Sequence, residues 1–292
     1  MLLKNILNQQ DFQKYITGSL WGNPQAVTDK PGESRLLNEY VYHYKKVDST
    51  NNIAYQLADA GVPEGTIVIS EEQSAGKGRL KRNWLSPPSA GLFLSLVFRP
   101  PMEPAHIPQL TLLSGVAVNE AIEAVAHCRS GIKWPNDILI NGKKVCGILA
   151  ESKLANKGNS GFVVVGIGIN VNMDYAGFPA ELKDTAISLK IAAGQEVCRL
   201  QLVKALLTAL DRHYINFLKH GYPYLRQEWL NANITIGRTV KITKSEGKGD
   251  TVEGKAVDIS QTGGLIVQFP DGRQEEFLAG DVTIGTANII DH

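Results

Sequence analysis

The chain has 292 residues, 43% of them hydrophobic and 20% charged, with a formal net charge of +1 and three cysteines. This composition is that of a globular protein with one large domain and a small one, and it predicts no nucleic-acid partner, no anionic membrane surface and no disulfide framework. The longest apolar runs, 91–98 and 162–169, are too short to cross a bilayer, and no signal peptide opens the chain, so we expect a cytoplasmic protein.

The first half of the chain alternates short strands with helices. Residues 1–38 contain breakers such as Gly22-Asn23-Pro24, and we predict a loosely attached extension there. Alternation predicts a strand over 36–45, and Asp48, Ser49 and Thr50 are candidate N-caps of a helix that runs through Ala60. The next predicted elements are a strand over 66–70, a loop over 73–83, a buried strand over 92–98 and a helix over 110–124.

A hairpin is predicted at Asn141-Gly142, a typical two-residue turn sequence. Lys133 should end the preceding strand, Asp137 should begin the next, and the hairpin returns through 145–151. A nearly all-apolar strand over 162–171 should have both faces covered. Helical spacing then predicts a long amphipathic helix over 200–217 and a shorter one over 222–232.

From Arg238 onward the pattern changes to short strands separated by glycine turns. The predicted strands span 240–243, 252–259, 265–269 and 274–278, which is typical of a small antiparallel barrel. We therefore predict three parts of the chain, namely the extension over 1–38, a large α+β domain over 39–232 and a small β domain over 233–292.

The run Lys133-Trp134-Pro135-Asn136-Asp137 fixes a cation and a carboxylate on a stiff element. Pro135 sets its own φ and favours extended geometry at Trp134. A lysine on such a backbone is well placed to hold an anion. The alternative is a solvated strand lysine beside a structural turn.

A second candidate is the loop from Gly76 to Trp84, in which Lys77, Arg79, Lys81 and Arg82 fall close together beside two glycines. Glycines let backbone N–H groups approach an anion, and the cations supply charge, so we expect phosphate or carboxylate as the target. The loop does not match a Walker A sequence. A basic, solvated loop is the alternative, although a tryptophan that ends such a loop can fold over a flat ligand.

A third candidate is the run Val165-Gly166-Ile167-Gly168-Ile169-Asn170, in which both glycines and Asn170 share one face of a strand. Glycine weakens a strand unless something approaches its backbone closely, so either a flat ligand or closely packed protein lies there. Gly147 is another bare strand position. A fourth segment, Asp48-Ser49-Thr50-Asn51, fits both a helix cap and a set of partners for a polar ring.

Together and in this order, these four segments resemble the biotin protein ligase family, firmly over about 40–171 and loosely over the C-terminal barrel. The resemblance implies a mixed-sheet catalytic domain like that of biotin and lipoate ligases, followed by an SH3-like β-barrel. Some members carry an N-terminal winged helix that binds DNA. Residues 1–38 look too short and too poorly helical for one, so we expect no repressor role.

The resemblance also implies a two-step reaction. Biotin and ATP give biotinyl-5′-adenylate and pyrophosphate, with Mg²⁺ on the phosphates, and a lysine of a biotin carboxyl carrier protein then takes the biotin. Lys133 and Arg79 are the expected catalytic residues, and no direct protein ligand of the metal is predicted. The expected biotin contacts are Ser49, Thr50, Asn51, Gln73, Lys77, Gly78, Arg79, Lys133, Gly147, Gly166 and Gly168. The expected adenylate contacts are Lys77, Arg79, Arg82, Lys133, Trp84, Asn136 and Asn170.

Two positions depart from the family pattern. Lys77 stands where arginine is usual, so the bidentate fork is lost there. Lys81 stands where glycine is frequent, which suggests that the loop has no need of a positive φ at this residue.

A lipoate or octanoate ligase and a non-catalytic binding protein are the alternative functions, and Ser49, Thr50, Asn51 and Gln73 favour biotin. The sequence leaves the oligomeric state open, with a homodimer as one option.

Overall fold

The computed structural model describes residues 40–154, 161–243, 251–278 and 280–284. The predicted N-terminal extension therefore lies outside the described residues. Within them the chain forms a seven-stranded and a five-stranded sheet, which confirms the predicted α+β class. No helix in these ranges has both the length and the hydropathy that crossing a bilayer requires.

The larger sheet is mixed. Its strands are β1 (Val41–Tyr44), β2 (Ile67–Ser70), β3 (Gly91–Phe98), β4 (Gly131–Lys133), β5 (Asp137–Ile140), β6 (Lys143–Lys153) and β7 (Phe162–Asn170). They lie in the order β1-β2-β3-β7-β6-β5-β4. The β1–β2 pair is parallel, and the other neighbouring pairs are antiparallel. The predicted Asn141-Gly142 turn is confirmed, since both residues have positive φ, 51° and 76°, as a type I′ hairpin turn requires.

Helices cover both faces of this sheet. Their bounds are α1 (Thr50–Asp59), α2 (Pro108–Ala126), α3 (Leu189–Ala193) and α4 (Arg199–Ala232). On one face α1 packs Ala54 and Ala58 against apolar residues of β2, β3 and β7. On the other face α2 and α4 cover the main core. Both faces of β7 are therefore buried, as its apolar sequence predicts, whereas the short α3 was missed.

The smaller sheet is antiparallel and comprises β8 (Thr239–Thr243), β9 (Thr251–Ile259), β10 (Leu265–Gln268), β11 (Gln274–Phe277) and β12 (Asp281–Ile284). Its strand order is β11-β10-β9-β8-β12. Four of these strands match the predicted ones. The sequence analysis missed β12, a strand of four residues that directly follows Gly280.

The long helix α4 changes direction at Gly221, where φ is 66° and ψ is −157°. Only glycine adopts such a backbone readily. The prediction of two helices is thus confirmed in substance. The part after the break contacts the smaller sheet, because Arg226 pairs with Asp258 at 2.7 Å and Tyr222 donates to the Ile259 carbonyl at 2.5 Å.

The turn between β4 and β5 also contacts the smaller sheet. The indole N–H of Trp134 donates to the Gly263 carbonyl at 2.9 Å, and the backbone N–H of Trp134 donates to Thr235 Oγ1 at 2.9 Å. Trp134 is 1% exposed. The smaller sheet and the linker to it therefore hold the turn that follows Lys133.

Candidate active site

A cavity of about 460 Å³ opens where the start of α1, the basic loop, the β4–β5 turn and the strands β6 and β7 meet. Every site residue predicted from the sequence lines it, so segments far apart in the chain converge on one place. These residues are Ser49, Thr50, Asn51, Gln73, Lys77, Gly78, Arg79, Arg82, Trp84, Lys133, Asn136, Gly147, Gly166, Gly168 and Asn170. Their individual roles stay predictions.

One end of the cavity consists of uncharged polar groups. Gln73 Oε1 accepts from the backbone N–H of Thr50 at 2.8 Å and lies 3.1 Å from Thr50 Oγ1. The amide of Gln73 donates to Ser86 Oγ at 2.8 Å. Ser49 occupies the N-cap position of α1, but its side chain makes no capping hydrogen bond. These groups therefore present a fixed pattern of donors and acceptors, as recognition of a neutral polar ring requires.

The carboxylate of Asp48 binds the start of α1 from outside the cavity. Asp48 accepts from the backbone N–H of Ser49 and from the side-chain amide of Asn52, each at 2.6 Å. The hydrogen bond from Asn52 holds the pKa of Asp48 below its ordinary value. Asp48 therefore precedes the N-cap residue and holds the first turn of α1 through Ser49 and Asn52, and it does not line the cavity.

A buried ion pair supports the strand end that precedes Gln73. Arg199, with no exposed surface, places Nη2 2.6 Å from Glu71 Oε2 and donates to the Gly91 carbonyl at 3.0 Å. His43 Nε2 lies 3.2 Å from Glu71 Oε1. Burial alone would raise the pKa of Glu71, but the contacts from His43 and Arg199 outweigh it and hold that pKa below its ordinary value.

The other end of the cavity is the basic loop. Its backbone closes on itself, since Gly78 N–H donates to the Arg82 carbonyl at 2.7 Å and Trp84 N–H to the Gly76 carbonyl at 2.8 Å. Leu80 and Lys81 have φ of 54° and 60°. The expectation that Lys81 needs no positive φ is therefore wrong. The chain adopts the left-handed turn at a residue without glycine's freedom, at a cost of roughly 1–2 kcal/mol.

Arg79 points from this loop to the β4–β5 turn. Its Nη1 donates to Asn136 Oδ1 at 3.0 Å, and its Nη2 lies 3.5 Å from the Gly280 carbonyl of the smaller sheet. Asn136 in turn donates to the Ile148 carbonyl at 2.8 Å. Lys133 pairs in register with Asp137 across β4 and β5 and faces the same cavity. The two expected catalytic cations thus lie on neighbouring segments.

Lys144, which the predicted site did not include, also lines the cavity. Its Nζ lies 2.6 Å from Asp137 Oδ1 and 5.4 Å from the ring centre of Trp84. Lys144 directly follows the Asn-Gly-Lys turn. Its charge beside an apolar strand was the one sequence feature that could have indicated a site residue there. A segment without any motif was missed as well, and it contributes Phe178, Leu182, Asp184, Thr185 and Ala186.

The predicted glycine positions lie beneath side chains of the same site. A Cβ on Gly168 would lie 2.5 Å from Trp84 Nε1, and one on Gly147 would lie 2.9 Å from the Trp84 ring. A Cβ on Gly166 would fall within the Asn51 carboxamide. The indole N–H of Trp84 is buried without a hydrogen-bond partner in the described part of the chain. The bare strand face therefore accommodates Trp84 and Asn51 closely, and a ligand floor there stays a prediction.

Comparisons with known proteins agree with this architecture. Residues 44–170 match the biotin/lipoate A/B protein ligase family, which defines the class of the larger domain. Residues 235–285 match the biotin protein ligase C-terminal domain. The chain therefore belongs to the biotin protein ligase family.

Its relatives include both forms of this family. The chain is 37% identical to the bifunctional ligase/repressor BirA of Bacillus spizizenii over 87% of this chain and 76% of that protein. It is 32% identical to the biotin–acetyl-CoA-carboxylase ligase of Paracoccus denitrificans over 78% of this chain and 94% of that protein. The biotin protein ligase of Aquifex aeolicus, solved in complex with biotin and ATP, superposes with a TM-score of 0.72 at 30% identity, over 85% of this chain and 99% of that one.

Proposed function

We propose that the cavity binds biotin and ATP, joins them into biotinyl-5′-adenylate and passes the biotin to a lysine of a biotin carboxyl carrier protein. One observation carries the proposal: the same cavity presents uncharged hydrogen-bonding groups at one end and Lys77, Arg79, Lys133 and Lys144 at the other. A ureido ring and an acid joined by an apolar chain fit this division. Biotin has that chemistry.

In the first step, a carboxylate oxygen of biotin bonds to the α-phosphorus of ATP, and pyrophosphate leaves. Both reactants are anions, so cations that lie between them lower their repulsion and stabilise the charge of the transition state. Lys133 and Arg79 are the proposed bridge between carboxylate and α-phosphate. Lys144 is a further cation in reach of the same place, and it is already paired with Asp137.

In the second step, the amine of the acceptor lysine attacks the carbonyl carbon of the adenylate, AMP leaves, and the amine loses a proton. No covalent bond to the protein is needed. The mixed anhydride reacts with water, so the basic loop and Trp84 also serve to exclude solvent.

Mg²⁺ is part of the proposed reaction. Asp137 and Asp184 line the cavity, and Mg²⁺ is commonly bound by one or two carboxylates together with substrate phosphates. These residues fit a metal held mainly by ATP. When bound there, Mg²⁺ would neutralise charge on the β- and γ-phosphates.

The predicted domain division, with boundaries at residues 38 and 232, belongs to the same proposal. So do the cytoplasmic location, the absence of a nucleic-acid partner and the option of a homodimer, each of which stays a prediction. The two sheets and the two matched regions support a boundary near residue 233.

The deciding experiment is mass spectrometry of a carrier domain after incubation with the protein, ATP and biotin. We expect one biotinyl group on a single lysine, and a carrier whose acceptor lysine is replaced by arginine should stay unmodified. Competition between biotin and lipoate separates the proposal from a lipoate or octanoate ligase. A protein that binds biotin but shows no biotin-dependent ATP–pyrophosphate exchange would be a non-catalytic binder, contrary to the proposal.

A further inference from the structure

The carboxylate of Glu151, on β6, contacts one residue from each end of the cavity. Glu151 Oε2 accepts from Asn51 Nδ2 at 2.9 Å, so it contacts the start of α1. Glu151 Oε1 accepts from Lys77 Nζ at 3.0 Å, so it also contacts the basic loop. A single side chain thus connects the uncharged end of the site with the cationic end.

The first contact fixes the orientation of the Asn51 carboxamide. Asn51 is 3% exposed, with Oδ1 2.6 Å from Ser95 Oγ and Nδ2 3.4 Å from the Leu149 carbonyl. A flipped amide would place its oxygen against the Glu151 carboxylate and the Leu149 carbonyl, which are acceptors only. Glu151, together with the Leu149 carbonyl, therefore determines which way Asn51 points, and both amide hydrogens of Asn51 are directed at protein.

The second contact gives Lys77 a protein partner. Lys77 is the position where the family resemblance leads one to expect arginine, and lysine offers a point charge instead of a fork. The two side chains are 39% and 30% exposed, so the ion pair should contribute up to about 1 kcal/mol. A free energy of this size is too small to decide whether the protein folds. It nevertheless changes the ratio of open to closed loop by a factor of about five.

We propose that Glu151 is a positioning residue that orients Asn51 with one carboxylate oxygen and holds the basic loop closed through Lys77 with the other. The proposal rests on the proposed function, in which the loop covers biotinyl-adenylate. Glu151 itself is not among the residues that line the cavity. Its effect is to slow the escape of the intermediate before the carrier arrives.

The loop can be tested without any ligand. Backbone hydrogen exchange over residues 76–84 should be about fivefold faster in Glu151→Gln and in Lys77→Met than in the wild type, because neither variant retains the charged pair. The control is Asp59→Asn, which makes the same charge change in the ion pair of Asp59 with Lys153, between the far ends of α1 and β6. Unchanged exchange in Glu151→Gln would overturn the proposal whatever the protein catalyses.

The same variants are then compared for release of preformed biotinyl-adenylate in the absence of carrier. We expect Glu151→Gln to release it about fivefold faster, with kcat for ATP–pyrophosphate exchange within about twofold of the wild type. Lys77→Met also removes a predicted ligand contact, so Lys77→Met/Glu151→Gln should release the adenylate no faster than Lys77→Met alone, in which the Lys77–Glu151 pair is already broken. If the rate increases of the two single variants multiplied in the double variant, Glu151 would not act on the loop through Lys77. If the wild-type protein showed no ATP–pyrophosphate exchange, the proposed function would be refuted. The backbone hydrogen-exchange result would still decide whether Glu151 holds the loop closed.

Discussion

The two ends of the cavity are built differently. At the uncharged end, Thr50 and Asn51 are 4% and 3% exposed, and short neutral hydrogen bonds connect them to Ser95 and Gln73. At the cationic end, Leu80 is 50% exposed and the loop contains consecutive residues in the left-handed region. The first end is fixed by buried contacts, and the second is an exposed loop held at a few points.

This difference follows from what each end has to recognise. A neutral ring is distinguished only by the directions of its donors and acceptors, so its partners have to be in place beforehand. Anions are attracted over longer distances and from many directions, so their partners can arrive with a loop. A loop that opens also lets a nucleotide enter and a carrier lysine approach. The predictions below test whether the two ends depend on different forces.

The largest expected effect is on stability, from Arg199→Met. This change leaves Glu71 buried without its guanidinium partner, and breaking a buried ion pair in this way costs about 3–5 kcal/mol. Chemical denaturation should show that loss in the free energy of unfolding. Arg212→Met changes another arginine of α4, one that is exposed and paired with Glu120 of α2, and should cost less than about 1 kcal/mol. Equal losses of unfolding free energy in Arg199→Met and Arg212→Met would show that the buried Arg199–Glu71 pair does not support the uncharged end.

The next effect is on catalysis, from Lys133→Ala. Removing a group that stabilises transition-state charge typically lowers kcat by about 10²–10³. We expect such a loss in biotin-dependent ATP–pyrophosphate exchange, with a circular dichroism spectrum like that of the wild type. Lys153→Ala removes a cation from the far end of β6 as a control. Exchange at the wild-type rate in Lys133→Ala would move the bridging role to Lys144.

A smaller effect concerns pH. Because the folded-state pKa of Glu71 lies below its ordinary value of 4.5, Glu71 contributes stability at neutral pH. That contribution is lost as the pH falls through the folded-state value. The difference in Tm between the wild type and Glu71→Gln should therefore shrink as the pH is lowered through 4.5 and below. A difference independent of pH would show that the carboxylate is not charged in the folded protein.

The smallest effect should come from the loop, through Lys81→Gly. Glycine removes the left-handed penalty of about 1–2 kcal/mol but adds about 0.5–1 kcal/mol of unfolded-state entropy, for a net stabilisation of about 0.5–1 kcal/mol. Thermal unfolding measures it. Arg82→Gly is the matched control, because φ is −73° there and glycine brings only its cost. A destabilised Lys81→Gly would indicate that the loop of the folded protein does not keep positive φ at this residue.

Local signals made much of this molecule predictable. The Asn141-Gly142 turn, the alternating glycines of β7 and the apolar spacing of α2 act over a few residues, and the structure confirms each of these elements. The site residues came from motifs in a recognisable order, and the structure brings them together in one cavity.

Contacts between residues far apart in the chain could not be predicted from the sequence. Glu151 lies 100 residues from Asn51 and 74 from Lys77, and Arg199 lies 128 from Glu71. No local pattern marks a carboxylate for a partner so far along the chain. Lys81 was misread for another reason: its left-handed φ is imposed by closure of the loop against the intrinsic preference of lysine.

The contacts of Trp134 bear on how this protein can be shortened. Its indole and backbone N–H groups bind Gly263 and Thr235, while Arg79 reaches Gly280. A fragment that stops at residue 232 would keep every side chain that lines the cavity, yet it would lose the partners that hold Lys133 and Arg79 in register. We therefore expect the minimal active fragment to extend through the C-terminal sheet, and a protein divided at this linker should regain activity only when its two parts reassemble.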